Sequence, residues 1–131
     1  MMAETHGMVM VVDDHEDVRD SMLLLLDVMG WRGRGYATAE AALEALLHDD
    51  GLTRYAIAFI DVSLPGMSGL ELASRLRAEM VAQTRRPILV AMTGWGSADD
   101  RAQTLAAGFD EHVIKPLDVP HLEQLLGKAL N

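Results

Sequence analysis

Continuous apolar runs alternate with helical apolar faces along this chain. Met8-Val9-Met10-Val11-Val12, Ala56-Ile57-Ala58-Phe59-Ile60 and Ile88-Leu89-Val90-Ala91-Met92 are unbroken, as strands buried on both faces should be. Trp31 to Tyr36 instead alternates, with Arg32 and Arg34 set against Gly33 and Gly35, and Val113-Ile114 is very short. Between the runs, Val18, Met22, Leu25 and Met29 recur at i, i+4, i+7 and i+11, one face of a helix that Gly30 stops. Leu43, Leu46 and Leu47 predict a second helix behind a Thr38 cap. Ser68 with Glu71 three residues later is a capping-box pattern, opening a third helix through Leu72, Leu76 and Met80. Ser97 and Asp100 repeat that pattern before a weak, Ala-rich fourth helix that stops near Gly108. Leu122, Leu125, Leu126 and Ala129 predict the fifth, with Asp118 as cap and Pro120 in its first turn.

Five strand–helix units predict an α/β domain whose parallel sheet carries helices on both faces. The three continuously apolar strands belong inside; the alternating second and the short fifth suit the edges. That fits the flavodoxin-like, doubly wound order 2-1-3-4-5. Ligands in such sheets bind beyond the carboxyl ends of the strands at the switch point, here between strands 1 and 3.

The strand ends carry the chemistry. Strand 1 delivers Asp13 and Asp14, strand 3 delivers Asp61, strand 4 delivers Thr93, and strand 5 delivers Lys115. Neighbouring strands lie about 4.8 Å apart, so the acid pair and Asp61 must be close. Two like charges at 4 Å repel by about 4 kcal/mol at an effective dielectric of 20. A Mg²⁺ ion removes that conflict, because it takes oxygen ligands and commonly combines one or two carboxylates with phosphate oxygens. Metal, ammonium and hydroxyl together would contact a transferring phosphoryl group, and Asp61 is the candidate nucleophile. A single Asp after a strand is usually a cap; four such groups on four strands rarely arise that way.

Composition narrows the alternatives. With 131 residues, half of them hydrophobic, the chain makes one domain; residues 1–7 read as a tail and 8–131 as the folded unit. A net charge of −9 argues against nucleic acid and against anionic membranes. The absence of cysteine excludes disulfides and thiolate metal sites. No apolar stretch approaches the roughly 20 residues that span a bilayer, so a soluble cytoplasmic protein is expected.

The segments Val11-Val12-Asp13-Asp14-His15, Ile60-Asp61-Val62-Ser63-Leu64-Pro65-Gly66-Met67-Ser68-Gly69, Met92-Thr93-Gly94 and Ala107-Gly108-Phe109-Asp110 through Lys115-Pro116 resemble the response-regulator receiver domain of two-component signalling. The resemblance runs from Met8 to Leu126. It implies that Asp61 accepts a phosphoryl group from a histidine of a sensor kinase or histidine phosphotransfer protein. Asp14, Asp61 and the backbone carbonyl of Ser63 would hold Mg²⁺, and Asp13 would act through water and by pairing with Lys115. Thr93 would bond the phosphoryl group and Lys115 would pair with it, before a cis Pro116. Phosphorylation would change the surface of the fourth helix, fifth strand and fifth helix, where a phosphorylation-linked dimer could form. His112 departs from the pattern: it stands where the family usually carries an aromatic ring that turns inward on activation, and Asp110 and Glu111 beside it could stabilise its cation.

His6, His15, His48 and His121 show no ligand spacing and read as surface or capping residues; Trp95 is expected over the rim of the site. A haloacid-dehalogenase-type phosphatase also uses an Asp nucleophile, Mg²⁺, Thr and Lys. It needs its second acid two residues after the nucleophile at the end of strand 1, where this chain has adjacent Asp13-Asp14, and it needs room for a cap. A degenerate receiver that only binds a partner would lack site residues that are present here. A flavin carrier would need a Ser/Thr-rich phosphate loop after strand 1.

Overall fold

The computed structural model describes residues 7–48, 50–81, 86–94 and 98–130. β1 (Met8–Val12), β2 (Arg32–Tyr36), β3 (Tyr55–Asp61), β4 (Ile88–Thr93) and β5 (Glu111–Ile114) form one parallel sheet in the order β2-β1-β3-β4-β5. The helices are α1 (Glu16–Val28), α2 (Ala39–Leu47), α3 (Gly51–Arg54), α4 (Gly69–Met80), α5 (Ala98–Ala107) and α6 (Val119–Leu130). The expected flavodoxin-like topology is what forms. The short α3 is an addition: it follows Asp50, which sits at φ +60°, and four residues carry too little periodicity to be read from sequence.

Both faces of the sheet are sealed, which is why the central strands contain no polar interruption. Met10, Val12, Ala58, Ile60 and Ala91 pack under Leu46, Leu72 and Leu76 of α2 and α4. Val9, Val11, Ile57, Phe59 and Val90 pack under Leu26 of α1 and Leu122, Leu125 and Leu126 of α6. Each of those four leucines is essentially buried, contributing about 1.5–3 kcal/mol apiece. The caps behave as expected. Thr38 Oγ1 accepts from Ala41 N, Ser68 Oγ from Glu71 N, and Asp118 Oδ1 from His121 N. Glu71 itself pairs with Arg75 at 2.9 Å on the exposed face. The Ser97 cap lies outside the described residues.

α1 packs largely on the face its periodicity predicts, with Met22, Leu25 and Met29 against the core. Leu26 is its buried residue, whereas Val18 is exposed. On β2, Cβ atoms on Gly33 or Gly35 would come 2.8 Å from side-chain atoms of Leu23 and Arg19 respectively. The two glycines are therefore contact positions that let α1 lie close on the edge strand through Leu23 and Arg19.

The short β5 is held by Asp110, just before it. Its carboxylate accepts from Arg77 Nη2 at 2.6 Å, Arg86 Nη1 at 3.3 Å and Leu89 N at 2.8 Å, while Arg77 Nε donates to Gly108 O at 2.6 Å. One carboxylate thus fastens the α5–β5 turn to α4 and β4. Burial alone would raise its pKa, but the Leu89 N–H and the two guanidiniums outweigh it and hold the carboxyl below its ordinary range. Asp110→Asn should lower stability at neutral pH by about 2–3 kcal/mol, because bonds to a charged acceptor are lost. The folded-state pKa lies below the unfolded one, so this contribution is complete above the ordinary carboxylate range and vanishes as pH falls through the lower folded value. Chemical denaturation of both proteins from neutral pH to about pH 2.5 should show the difference closing at the acid end; a constant difference would mean the carboxylate charge is irrelevant.

Candidate functional site

The carboxyl ends of β1, β3, β4 and β5 meet at one point of the sheet edge. Val12 pairs with Ile60 and Asp61 with Met92, so Asp13 and Asp61 leave adjacent strands at nearly one level. Asp13 N donates to Tyr36 O at 3.1 Å and Lys115 N to Thr93 O at 2.7 Å, which fixes the backbone on both flanks. On the far side, a Cβ on Gly69 would collide with the Asp61 carbonyl oxygen. Only glycine lets the start of α4 close over the strand there.

Lys115 reaches across from β5. Its Nζ donates to Asp13 Oδ2 at 2.7 Å and to Asp61 Oδ2 at 3.0 Å. Asp13 is 0% exposed, and its other oxygen accepts from His15 N at 2.9 Å. Burial by itself would raise the pKa of Asp13, yet the Lys115 ammonium and the His15 N–H lower it overall. Conversely, burial would lower the pKa of Lys115, and its bonds to Asp13 and Asp61 raise it. Asp61 is 4% exposed, and its Oδ1 accepts from Ser63 N at 2.9 Å. Asp14 stands exposed at the rim.

One ligand atom from each of Asp13, Asp14, His15 and Asp61 lies within 4.8 Å of the others. Three of the four are carboxylate oxygens, the donor type that Mg²⁺ requires, so these residues fit a Mg²⁺ centre. His15 is a surface residue at the cap position of α1, as expected, but it makes no side-chain cap bond and turns Nδ1 to within 3.2 Å of Asp13 Oδ1 and 3.4 Å of Asp14 Oδ1. Its place directly after the acid pair was the available signal, since Asp side chains commonly bond the backbone N–H two residues on.

His112 differs from expectation. Its ring is already inside, 8% exposed, with Nε2 3.3 Å from Thr93 Oγ1 and Nδ1 2.9 Å from Thr104 Oγ1. Thr104 donates its own hydrogen to Arg101 O, so it accepts from His112 Nδ1–H. Thr104, on α5, was not picked out from sequence; the position eight residues before a buried β5 side chain carries no local signal. Asp110 instead serves the arginines, and Glu111 pairs with Lys128 at 2.8 Å. Trp95 lies outside the described residues.

The chain matches the response regulator receiver domain family over residues 9–127. It is 36% identical over 127 residues to the virulence sensor protein BvgS of Bordetella bronchiseptica, covering 92% of this chain and 10% of that protein. It is 32% identical to the transcriptional regulatory protein FixJ of Bradyrhizobium diazoefficiens, covering 96% of this chain and 58% of that protein. The chain therefore spans a small part of the first relative and little more than half of the second. Among solved structures, a CheY-like response regulator receiver domain from Methylobacillus flagellatus superposes with a TM-score of 0.79 at 26% identity, covering 95% of this chain and 99% of that one.

A divalent ion at this cluster binds the native state only. Mg²⁺ at about 100 times its dissociation constant should therefore add about 2.7 kcal/mol to the stability. Thermal melts with and without Mg²⁺ should show this rise in wild type and lose it in Asp14→Ala. An undiminished rise in the variant would put the ion elsewhere.

Proposed function

The chain belongs to the response regulator receiver domain family, and from that premise we propose that Asp61 is the residue on which this phospho-accepting, Mg²⁺-using signalling domain receives its phosphoryl group. The observation that supports it is the shared ammonium: Lys115 contacts Asp61 and Asp13 at once, so the counter-charge a phosphoryl group needs is already in position. The domain handles only its own phosphoryl group rather than turning over a substrate. The donor is a phosphohistidine of a sensor kinase or a histidine phosphotransfer protein. Its N–P bond breaks as a P–O bond to an Asp61 carboxylate oxygen forms, and the freed imidazole takes up a proton. Asp14, Asp61 and the Ser63 carbonyl hold Mg²⁺, with Asp13 acting through water. When bound, the ion neutralises charge on the phosphoryl oxygens. Ser63 N–H keeps one Asp61 oxygen oriented. A groove of about 380 Å³ between α1 and α6, lined by Val18, Met22, Leu25, Pro116 and Leu122, opens beside Lys115; it offers the donor-bearing helix an apolar bed next to the acceptor.

The readout runs through Thr93 and His112. For Thr93 to bond the phosphoryl oxygens its hydroxyl must leave His112 Nε2, and the ring also holds Thr104 of α5. Charge on Asp61 thereby reaches a helix whose described residues bury little besides Thr104. The α5–β5–α6 face is then the signalling surface, with phosphorylation-linked pairing of two copies through it. Residues 8–131 are the receiver unit; the tail expected over 1–7 lies, apart from Gly7, outside the described residues. Among the described residues no helix is long and apolar enough to cross a membrane, and the net charge of −9 disfavours nucleic acid; the cytoplasm, where such kinases present their phosphohistidines, is the site of action.

Incubation with acetyl phosphate and Mg²⁺ should add one phosphoryl group by intact mass, absent in Asp61→Asn and lost in alkali as an acyl phosphate is. An alkali-stable adduct, or one retained in the variant, would rule out Asp61. Hydrogen exchange should change on phosphorylation across α5, β5 and α6, most of all in α5, whose described residues have the least apolar anchoring. Changes restricted to α1 would overturn the proposed readout.

A further inference from the structure

We propose that His15 is a nitrogen ligand of the metal centre and shifts its preference from Mg²⁺ toward borderline first-row cations such as Ni²⁺ and Zn²⁺; the inference rests on the metal site assigned above. The nitrogen that faces the carboxylates is Nδ1, 3.2 Å from Asp13 and 3.4 Å from Asp14, and it belongs to the same group of ligand atoms as Asp61. The placement is built by the main chain. His15 N donates to Asp13 Oδ1 at 2.9 Å, tying the residue to the cluster whichever way its ring turns.

The ring is free for this use. It makes no capping bond to α1, and the side chain is 68% exposed, so ligation demands neither repacking nor much desolvation. With an ion at Nδ1, the single proton of the neutral imidazole sits on Nε2. Carboxylates alone make a hard oxygen set suited to Mg²⁺. An imidazole adds little for Mg²⁺ but much for Ni²⁺ and Zn²⁺, which rank high for nitrogen-containing sites.

Calorimetric titration of tag-free protein with NiCl₂ and, separately, MgCl₂ tests this in wild type, His15→Ala and Asp14→Ala. His15→Ala should weaken Ni²⁺ by about tenfold or more and leave Mg²⁺ within about twofold. Asp14→Ala should weaken both ions, which locates the Ni²⁺ at this cluster rather than at another histidine. Unchanged Ni²⁺ affinity in His15→Ala would make His15 only a hydrogen-bonding neighbour. An equal loss of both ions would mean that it acts by holding Asp13, and would overturn the nitrogen ligand. If Asp14→Ala left Mg²⁺ binding intact, the fault would lie in the underlying metal assignment instead.

Discussion

Two carboxylates on adjacent strands share the edge of this sheet, and the Lys115 ammonium separates them, 2.7 Å from one and 3.0 Å from the other. Without it, repulsion of about 4 kcal/mol at an effective dielectric of 20 would favour protonating one acid or pushing the strand ends apart. Asp13, fully buried, could not stay ionised. The bridge also dictates topology. Lys115 can reach β1 and β3 only because β5 lies two places from β3 in the sheet and its end projects over the same edge. Any charge added to Asp61 must draw on this ammonium, so a change at β3 is felt at β5.

β5 therefore carries more than its four residues suggest. Asp110 before it ties the chain to Arg77, Arg86 and Leu89. His112 within it joins Thr93 to Thr104, and Lys115 after it closes the site. The first contact anchors, whereas the second can change partner. A strand fixed at its start and adjustable beyond gives a small rearrangement of Thr93 a direct route into α5. Glu111, bonded to Lys128 of α6, extends the same connection across the face. The site and the α5–β5–α6 face are thus joined by side chains of one strand.

Metal chemistry has a similar economy. Asp13 is engaged by Lys115 and by the His15 backbone, which leaves the exposed Asp14 with freer oxygens. The turn after β1 that orients Asp13 also carries the His15 ring beside both acids. One short turn therefore sets the hydration, charge and donor type that an arriving cation meets.

Periodicity and strand ends determined the sheet order, the caps at Thr38, Ser68 and Asp118, and the gathering of Asp13, Asp14, Asp61 and Lys115. These were legible because each depends on a local rule: a doubly buried strand must be apolar throughout, a helix start needs an acceptor, and parallel strands present their ends together. Tertiary structure alone decided the close seat of α1 on β2, the inward position of His112 with its bond to Thr104, the service of Asp110 to two arginines, and the turn of His15 into the acid cluster. Gly33 and Gly35 read as weakness in an edge strand until Leu23 and Arg19 are seen resting on them. In each of these cases the partners come from different elements, and the energy of the contact depends on distances that the fold, rather than spacing along the chain, sets.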